Sequence, residues 1–355
     1  MRSARSVSSA PAVVLLLILW MLPVCAPAVQ AQAPPPDARY PVSIGGKQGF
    51  IDATGHLVIE PRFDRTFGFS EGLAAVEFGG AWGYIDPNGD YVIPPSYDEA
   101  YSFVGGRARV RVGADWGYID PTGAFVVDPG FASALDFSEG YAPVNVQQRR
   151  LGADVKSTWG FVDREGRLAI EPRFQRTQVF TEGLAAVEVD RRFLLIRLGT
   201  RWGYIRPDGT WAIEPRFRTA RSFEEGLALV RSEAGLTYIR PDGTTAFVVE
   251  AAQAHSFSEG RARIMQDGLW GFIDTTGAVV IPPQFTRAFD FSEGLAAVQE
   301  GGRWGYIDAD GAYVIPARFE RARSFSDGLA QVTLDGRTAY IDRQGRLVWQ
   351  EAADR

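Results

Sequence analysis

The chain has 355 residues, 46% hydrophobic and 12% aromatic, so it holds enough apolar material for a sizeable core and is not a disordered chain. Its formal net charge is −6, which argues against general nucleic-acid binding, since that begins with a basic footprint. A single cysteine, Cys25, leaves little room for disulfides, thiol catalysis or a thiolate metal site.

Residues 1–31 have the form of a secretory signal peptide. Arg2 and Arg5 give a basic start, "AVVLLLILWMLPV" (12–24) an apolar run, and "VQA" (29–31) small residues at the cleavage positions. The run is shorter than the roughly 20 residues a membrane span needs, so cleavage after Ala31 is expected. A lipoprotein anchored through Cys25 is the alternative, although Val24 stands where a small residue would be wanted. Cleavage leaves 35 basic against 43 acidic side chains and no cysteine. The sequence thus predicts an exported protein, periplasmic or extracellular, that meets the membrane only through its signal segment. Residues 32–40 read as a proline-rich linker.

From residue 41 to about 350 the chain repeats itself. With "WGYIDPNG" (82–89) as the type, nine copies align at Gln48, Trp82, Trp116, Trp159, Trp202, Leu236, Trp270, Trp304 and Thr338. The spacing is 34 residues except for two steps of 43. A fixed period of this size marks a stacked array in which single copies cannot bury their own apolar faces. In the first predicted strand Ala74 and Val76 recur in almost every copy while the positions between them vary, which is the alternation of a half-buried strand. The small Ala predicts a bulky group at close range, such as the Trp ring of a neighbour. The second strand, "WGYID", is apolar on both faces and therefore central, with Gly83 suited to a close backbone approach. A hairpin turn ending in Gly89 follows, then a short third strand, "YVIP", and a proline-containing bend.

The predicted fold is therefore all-β: nine tandem three-stranded antiparallel meanders stacked as an open β-superhelix, with a closed propeller-like ring as the alternative. The weak end copies, Gln48 and Thr338 in place of Trp, favour open ends that no neighbour covers. Trp82, Trp116, Trp159, Trp202, Trp270 and Trp304 are assigned to the repeat core. The motif "WGYIDPNGDYVIPPSYDEA" closely resembles the bacterial WG-repeat family, also called KWG repeats, over nearly all of the predicted mature chain. That resemblance implies a β-rich superstructure, commonly exported or attached to binding and effector proteins. Distant similarity to cell-wall-binding hairpin repeats has been suggested for such proteins, and the resemblance brings no catalytic residues with it.

Two acidic columns stand out. The first runs through Asp52, Asp86, Asp120, Asp163, Asp274, Asp308 and Asp342, but Arg206 and Arg240 interrupt it, so it reads as a turn residue rather than a cation ladder. The second, in "FSEG", runs through Glu71, Glu139, Glu182, Glu225, Glu259, Glu293 and Asp327. Paired carboxylates could serve glycoside hydrolysis, yet identical copies do not provide the unlike environments that acid and base need. His56 and His255 fall in unrelated columns, and no GxSxG, HExxH or P-loop occurs, so no metal, cofactor or catalytic centre is expected.

The two nine-residue insertions, near 145–158 and 188–201, lengthen the same hairpin in adjacent copies. They add Arg149, Arg150, Lys156, Arg191, Arg192, Phe193 and Arg197, a basic and partly apolar set on an acidic protein. These are the candidate binding residues, since insertions in repeat proteins often build the binding face. The expected function is a non-catalytic binding or scaffolding protein for an envelope glycan or a protein partner. A glycan-acting enzyme and a purely structural spacer are the alternatives.

Overall fold

The computed structural model describes residues 34, 35, 37–148, 156–193 and 196–353. Among them there is no helix, and 35 strands form nine antiparallel sheets. Eight sheets have four strands rather than the expected three, and only the first, Tyr40–Ile44, Lys47–Ile51 and Leu57–Phe63, has three. The extra strand comes from the predicted bend. After Tyr91–Tyr97 the chain passes through Asp98 alone and enters the next sheet as Glu99–Ala100, which pairs with Ala108–Val112. Each copy thus hands its third strand directly to its neighbour.

This step depends on a glycine. The strand Tyr91–Tyr97 bulges between the pairs Tyr84↔Ile93 and Trp82↔Tyr97, folding its prolines back over the WG strand. A methyl on Gly83 would lie 2.5 Å from the Ile93 carbonyl oxygen and 2.7 Å from the Pro95 nitrogen. The same crowding recurs at Gly49, Gly117, Gly160, Gly203, Gly271 and Gly305. Copies 6 and 9 confirm the coupling. Thr237 and Ala339 replace the glycine there, and the third strands, Thr245–Val249 and Leu347–Gln350, pair without that bulge. Both strands also lack proline. The loss of proline in copy 6 is therefore the counterpart of Thr237.

The core lies between consecutive sheets. Phe50, Ile59 and Phe63 of copy 1 pack with Ala74, Val76 and Ile85 of copy 2, and Trp270, Phe272, Ile281 and Phe285 of copy 7 with Ala296, Val298 and Ile307 of copy 8. The ring that meets each small Ala is consistently the aromatic two residues after the Trp position. Phe50, Tyr84, Tyr118, Phe161, Tyr204, Tyr238, Phe272 and Tyr306 are fully buried. Trp82, Trp202, Trp270 and Trp304 are buried as well, whereas Trp116 and Trp159 are half-buried beside the cores. The tyrosines carry a second tie. The hydroxyls of Tyr84, Tyr118, Tyr204 and Tyr306 donate to Tyr101, Leu135, Arg221 and Arg323 carbonyls of the next copy at 2.7–2.8 Å. Burial pushes these phenols far above their ordinary range, so they remain donors.

The same contacts continue from copy 9 to copy 1. The Tyr340 hydroxyl donates to the Pro41 carbonyl at 2.8 Å, and the Tyr40 hydroxyl donates to the Asp327 carbonyl. Ala38, Tyr40, Val42 and Ile51 share one apolar cluster with Leu329 and Tyr340. The hairpin glycine of each copy lies against the third strand of the copy before, as Gly89 does against Ile59, and Gly55 lies in the same way against Val348. The nine sheets therefore close as a nine-bladed β-propeller ring. The open superhelix is replaced by the alternative, and the end copies are covered. Gln48 departs from Trp because its amide oxygen accepts from the Thr66 N–H and hydroxyl at 2.7 and 2.8 Å.

Replacing Gly83 with Ala tests the coupling of glycine to bulge. An ordinary strand gains stability from this change, whereas here overpacking against backbone should cost about 1–3 kcal/mol. A urea midpoint equal to or above that of the unaltered protein would overturn the assignment.

Candidate functional site: a basic sector on copies 4 to 6

Most of the repeated polar groups are occupied in holding the ring. The Asp86 carboxylate accepts from the Asn88 and Asp90 N–H groups at 2.9 and 3.0 Å, which is the turn role expected of this column. Where Arg206 and Arg240 interrupt it, Asp208 and Asp242 accept instead from the Thr210 and Thr244 N–H groups and hydroxyls. Hydrogen bonds from the Thr54, Thr122 and Thr276 hydroxyls hold the carboxyls of Asp52, Asp120 and Asp274 below their usual range.

The glutamate column links copies. Glu71 has φ 52°, a left-handed conformation uncommon outside glycine, and its carboxylate accepts from the Gly105 and Gly106 N–H groups at 2.7 and 2.8 Å. Glu259 does the same to Glu293 and Gly294, and Glu139, Glu182, Glu225 and Glu293 reach Gly183, Gly226, Gly260 and Gly328. The column therefore caps the next turn around the ring. Among the described residues no group of three His, Cys, Asp or Glu side chains is arranged to hold a metal ion. Where copies 9 and 1 meet, a cavity of about 410 Å³ is lined by Arg39, Tyr40, Glu71, Arg323, Asp327 and Tyr340, among others.

The two insertions extend hairpins, as their position predicts. The strand pairs Tyr141–Gln148 with Lys156–Asp163 and Ala185–Phe193 with Ile196–Ile205 replace the five-residue pair Ala74–Phe78 with Ala81–Ile85. Their registers run out to Gln148↔Lys156 and Phe193↔Ile196. Arg149 and Arg150 lie outside the described residues. Lys156, Arg192, Phe193 and Arg197 are placed on these strands, but their side chains lie outside what is described. Arg191 is exposed, and it lines a groove of about 580 Å³ with Asp190, Arg201, Pro215, Arg216 and Glu233.

That groove continues. Arg216 and Glu233 also line a second opening of about 540 Å³, bounded by Ser232, Thr237, Asp242, Thr244 and Thr245. In seven copies a bulge folds over this position on the WG strand; copy 6 has none, and Thr237 is instead bonded to Ser232 at 2.8 Å. The two departures from the repeat, the long hairpin of copy 5 and the lapse of copy 6, thus adjoin one another. Residues 191–240 hold ten arginines against five carboxylates in a chain whose net charge is −6. Several are already engaged. Arg216 donates to the Gly243 carbonyl at 2.6 Å, and Arg218 pairs with Glu233 at 3.0 Å. Behind them Glu188 is buried; burial opposes its ionisation, but bonds from Arg176 and Thr200 outweigh it and hold the carboxyl low. In the sequence copy 6 stands out by Leu236 in the Trp column and by its bend "VVEAAQAHSF" (248–257), which lacks the proline and aromatic of the other copies. Thr237 in the glycine column and the arginine excess were the signals that could have located the groove.

His56 is exposed in its turn. His255 is half-buried against Trp270, with ring centroids 5.5 Å apart, and its Nδ1 lies 3.1 Å from the Arg263 guanidinium. Burial, then the charges of Arg263 and Arg221, lower its pKa to about 4.

The molecule is therefore a closed ring of WG-type β-blades with one irregular, arginine-rich sector. The model of the WG containing repeat matches eight segments, at residues 49–80, 82–114, 116–148, 159–192, 202–233, 253–270, 270–304 and 304–337, and the chain belongs to this family. No curated protein matches the sequence. Among solved structures it is similar to apo AztD from Citrobacter koseri, with 12% identity over 89% of this chain and 94% of the other and a TM-score of 0.41. It is also similar to the dihydro-heme d1 dehydrogenase NirN, with 11% identity over 91% and 74% and a TM-score of 0.45. The β-propeller domain of the Trilobed protease from Pyrococcus furiosus gives 11% identity over 85% and 97% and a TM-score of 0.40. Nothing about ligand or activity passes from these proteins to this one.

His255 sets a pH test. Below its ordinary value of 6.5 the unfolded histidine takes up a proton, whereas the folded one does so only near 4. The unfolded state binds more protons in that window, so stability falls as pH drops through it. His255→Gln should therefore lose less stability than the unaltered protein between pH 7 and pH 4.5, measured by urea midpoints. An equal loss would place the histidine in solvent.

Proposed function

We propose that this protein is an exported, non-catalytic binding scaffold that recognises a protein partner through the basic sector of copies 4 to 6. The observation that carries this reading is the commitment of the repeated polar groups. The aspartates close their own turns and the glutamates cap the next copy's turn, so the regular copies are explained by the ring itself. The long hairpins are not. The ring's other hairpins are built from strands of five or six residues, while those of copies 4 and 5 reach eight to ten. Strands that continue past what the core requires, with arginines along them, supply reach and charge for recognition and for steering an acidic partner. The signal-like residues 1–31 support export.

The test is a pull-down from native envelope extract with residues 32–355, beside a variant whose two insertions are trimmed to the 34-residue period. A partner held by the intact ring and lost with the trimmed one is the expected result. A partner held equally by both would move recognition to the regular face. Retention of a glycan in place of a protein would favour the glycan reading.

A further inference from the structure

In the regular copies the tryptophan of the WG strand is held by the segment that enters its sheet. Arg65 stands over the Trp82 ring at 5.2 Å, and Phe67 stacks on it with centroids 5.3 Å and planes 27° apart. Arg176 stands over Trp202 at 5.7 Å, and Phe289 stacks on Trp304 at 5.2 Å. A carboxylate on the next strand pairs with these arginines, Glu77 with Arg65 and Glu188 with Arg176. Copy 9 keeps this frame and changes its contents. Its registers Arg321↔Thr333 and Thr333↔Thr338 repeat Arg65↔Glu77 and Glu77↔Trp82. Thr338 therefore stands in the place of the tryptophan, Arg321 in that of Arg65, Arg323 in that of the stacking phenylalanine and Thr333 in that of the carboxylate.

A cavity of about 280 Å³ opens at this place, lined by Arg321, Arg323, Gln331, Thr333 and Thr338 among others, and no carboxylate lines it. Among the described residues neither guanidinium has an ion-pair partner, and both arginines are exposed, so the cavity is reachable from solvent. Arg323 and Gln331 also line the larger seam cavity. There the Glu71 carboxylate is engaged by the Gly105 and Gly106 N–H groups, and Asp37 and Asp327 form no ion pair with Arg323. The other two departures from tryptophan are filled. Gln48 is bonded to Thr66, and Leu236 packs into the apolar cluster of copies 6 and 7.

The walls that hold an indole in the sister copies are thus present in copy 9 around a threonine. A guanidinium stacks on an aromatic face and pairs with a carboxylate, so two arginines without partners select a flat ring that brings its own negative charge. The cavity is at the small end of ligand pockets, which limits the ligand to a single small ring system. We propose that this cavity binds a small planar aromatic anion, its ring in the place of the tryptophan and its anionic group on Arg321 or Arg323. The site lies on copy 9 and does not rest on the reading of copies 4 to 6.

The test is calorimetric titration of residues 32–355 with indole-3-acetate, beside indole and cyclohexaneacetate. Indole-3-acetate should bind, and the other two should bind about tenfold or more weakly, since one lacks the charge and the other the flat face. Thr338→Trp restores the ring of the repeat and should abolish binding with an equal or higher urea midpoint, because it fills a cavity built for it. Arg323→Phe should weaken indole-3-acetate about tenfold and leave indole unchanged, because phenylalanine keeps the stacking wall and removes the charge. Arg321→Met should weaken indole-3-acetate by a similar factor. Gly-Gly-Trp presents the same ring and a carboxylate at a chain end, so whether it or indole-3-acetate binds more tightly distinguishes a polypeptide end from a free small molecule as the source. No binding of any ring compound overturns the proposal. So does cyclohexaneacetate binding as tightly as indole-3-acetate, which would reduce the site to a surface for anions. Binding that survives in a folded Thr338→Trp protein would place the ligand elsewhere. Should that variant lose stability, unchanged affinity in Arg321→Met and Arg323→Phe would overturn the proposal instead.

Discussion

The structure depends on one close approach, that of the third-strand bulge to the glycine of the WG strand. With no Cβ at Gly83, the strand Tyr91–Tyr97 folds its prolines onto its own sheet and then leaves for the next through a single residue. Sequential blades are joined by continuous backbone rather than by loops, and their faces are brought together with no slack. The buried aromatic two residues after the tryptophan fills the resulting space, and its hydroxyl, where it is tyrosine, ties the sheets across the interface. A side chain in place of the glycine would have to displace backbone, the least yielding of neighbours. Where evolution has placed Thr237 or Ala339 there, that bulge has gone.

Closure then follows from repetition. Three of the contacts between a copy and its successor are also present between copy 9 and copy 1 in equivalent form: the tyrosine to a backbone carbonyl, the hairpin glycine to the third strand, and the shared apolar cluster. No strand is shared across the seam, since the first sheet has only three. Among the described residues the ring is held there by tyrosine hydroxyls on backbone carbonyls, by Gly55 against Val348 and by the shared apolar cluster. Carboxylates that look catalytic in a single copy are explained by the same logic. A glutamate in left-handed conformation before a glycine positions its side chain for the N–H groups of the following turn, and repeating it builds a belt of inter-blade bonds.

Regularity also gives irregularity its meaning. A ring in which nearly every polar column has a structural role leaves the departures as the places where selection has acted on something else. Two of them, the long hairpin of copy 5 and the plain third strand of copy 6, are neighbours. Arginine accumulates over the same stretch of an otherwise acidic chain.

The repeat period, the all-β class, the central place of the WG strand, the turn role of the aspartates and the hairpin nature of the insertions were legible in the amino-acid sequence. They follow from local rules: alternation, turn chemistry and spacing, each visible within one copy or by comparing copies. Ring closure was not legible, because atypical end copies suit open ends and a seam equally, and only the contacts of Tyr340, Pro41 and Gly55 distinguish them. The fourth strand was hidden because Arg65–Thr66 and its equivalents pair with the following copy, so their partner lies outside the local pattern. The groove was hidden for a related reason. Thr237 and the missing prolines are separate oddities along the chain, and packing alone shows that they are one event, the loss of a bulge beside an arginine-bearing hairpin.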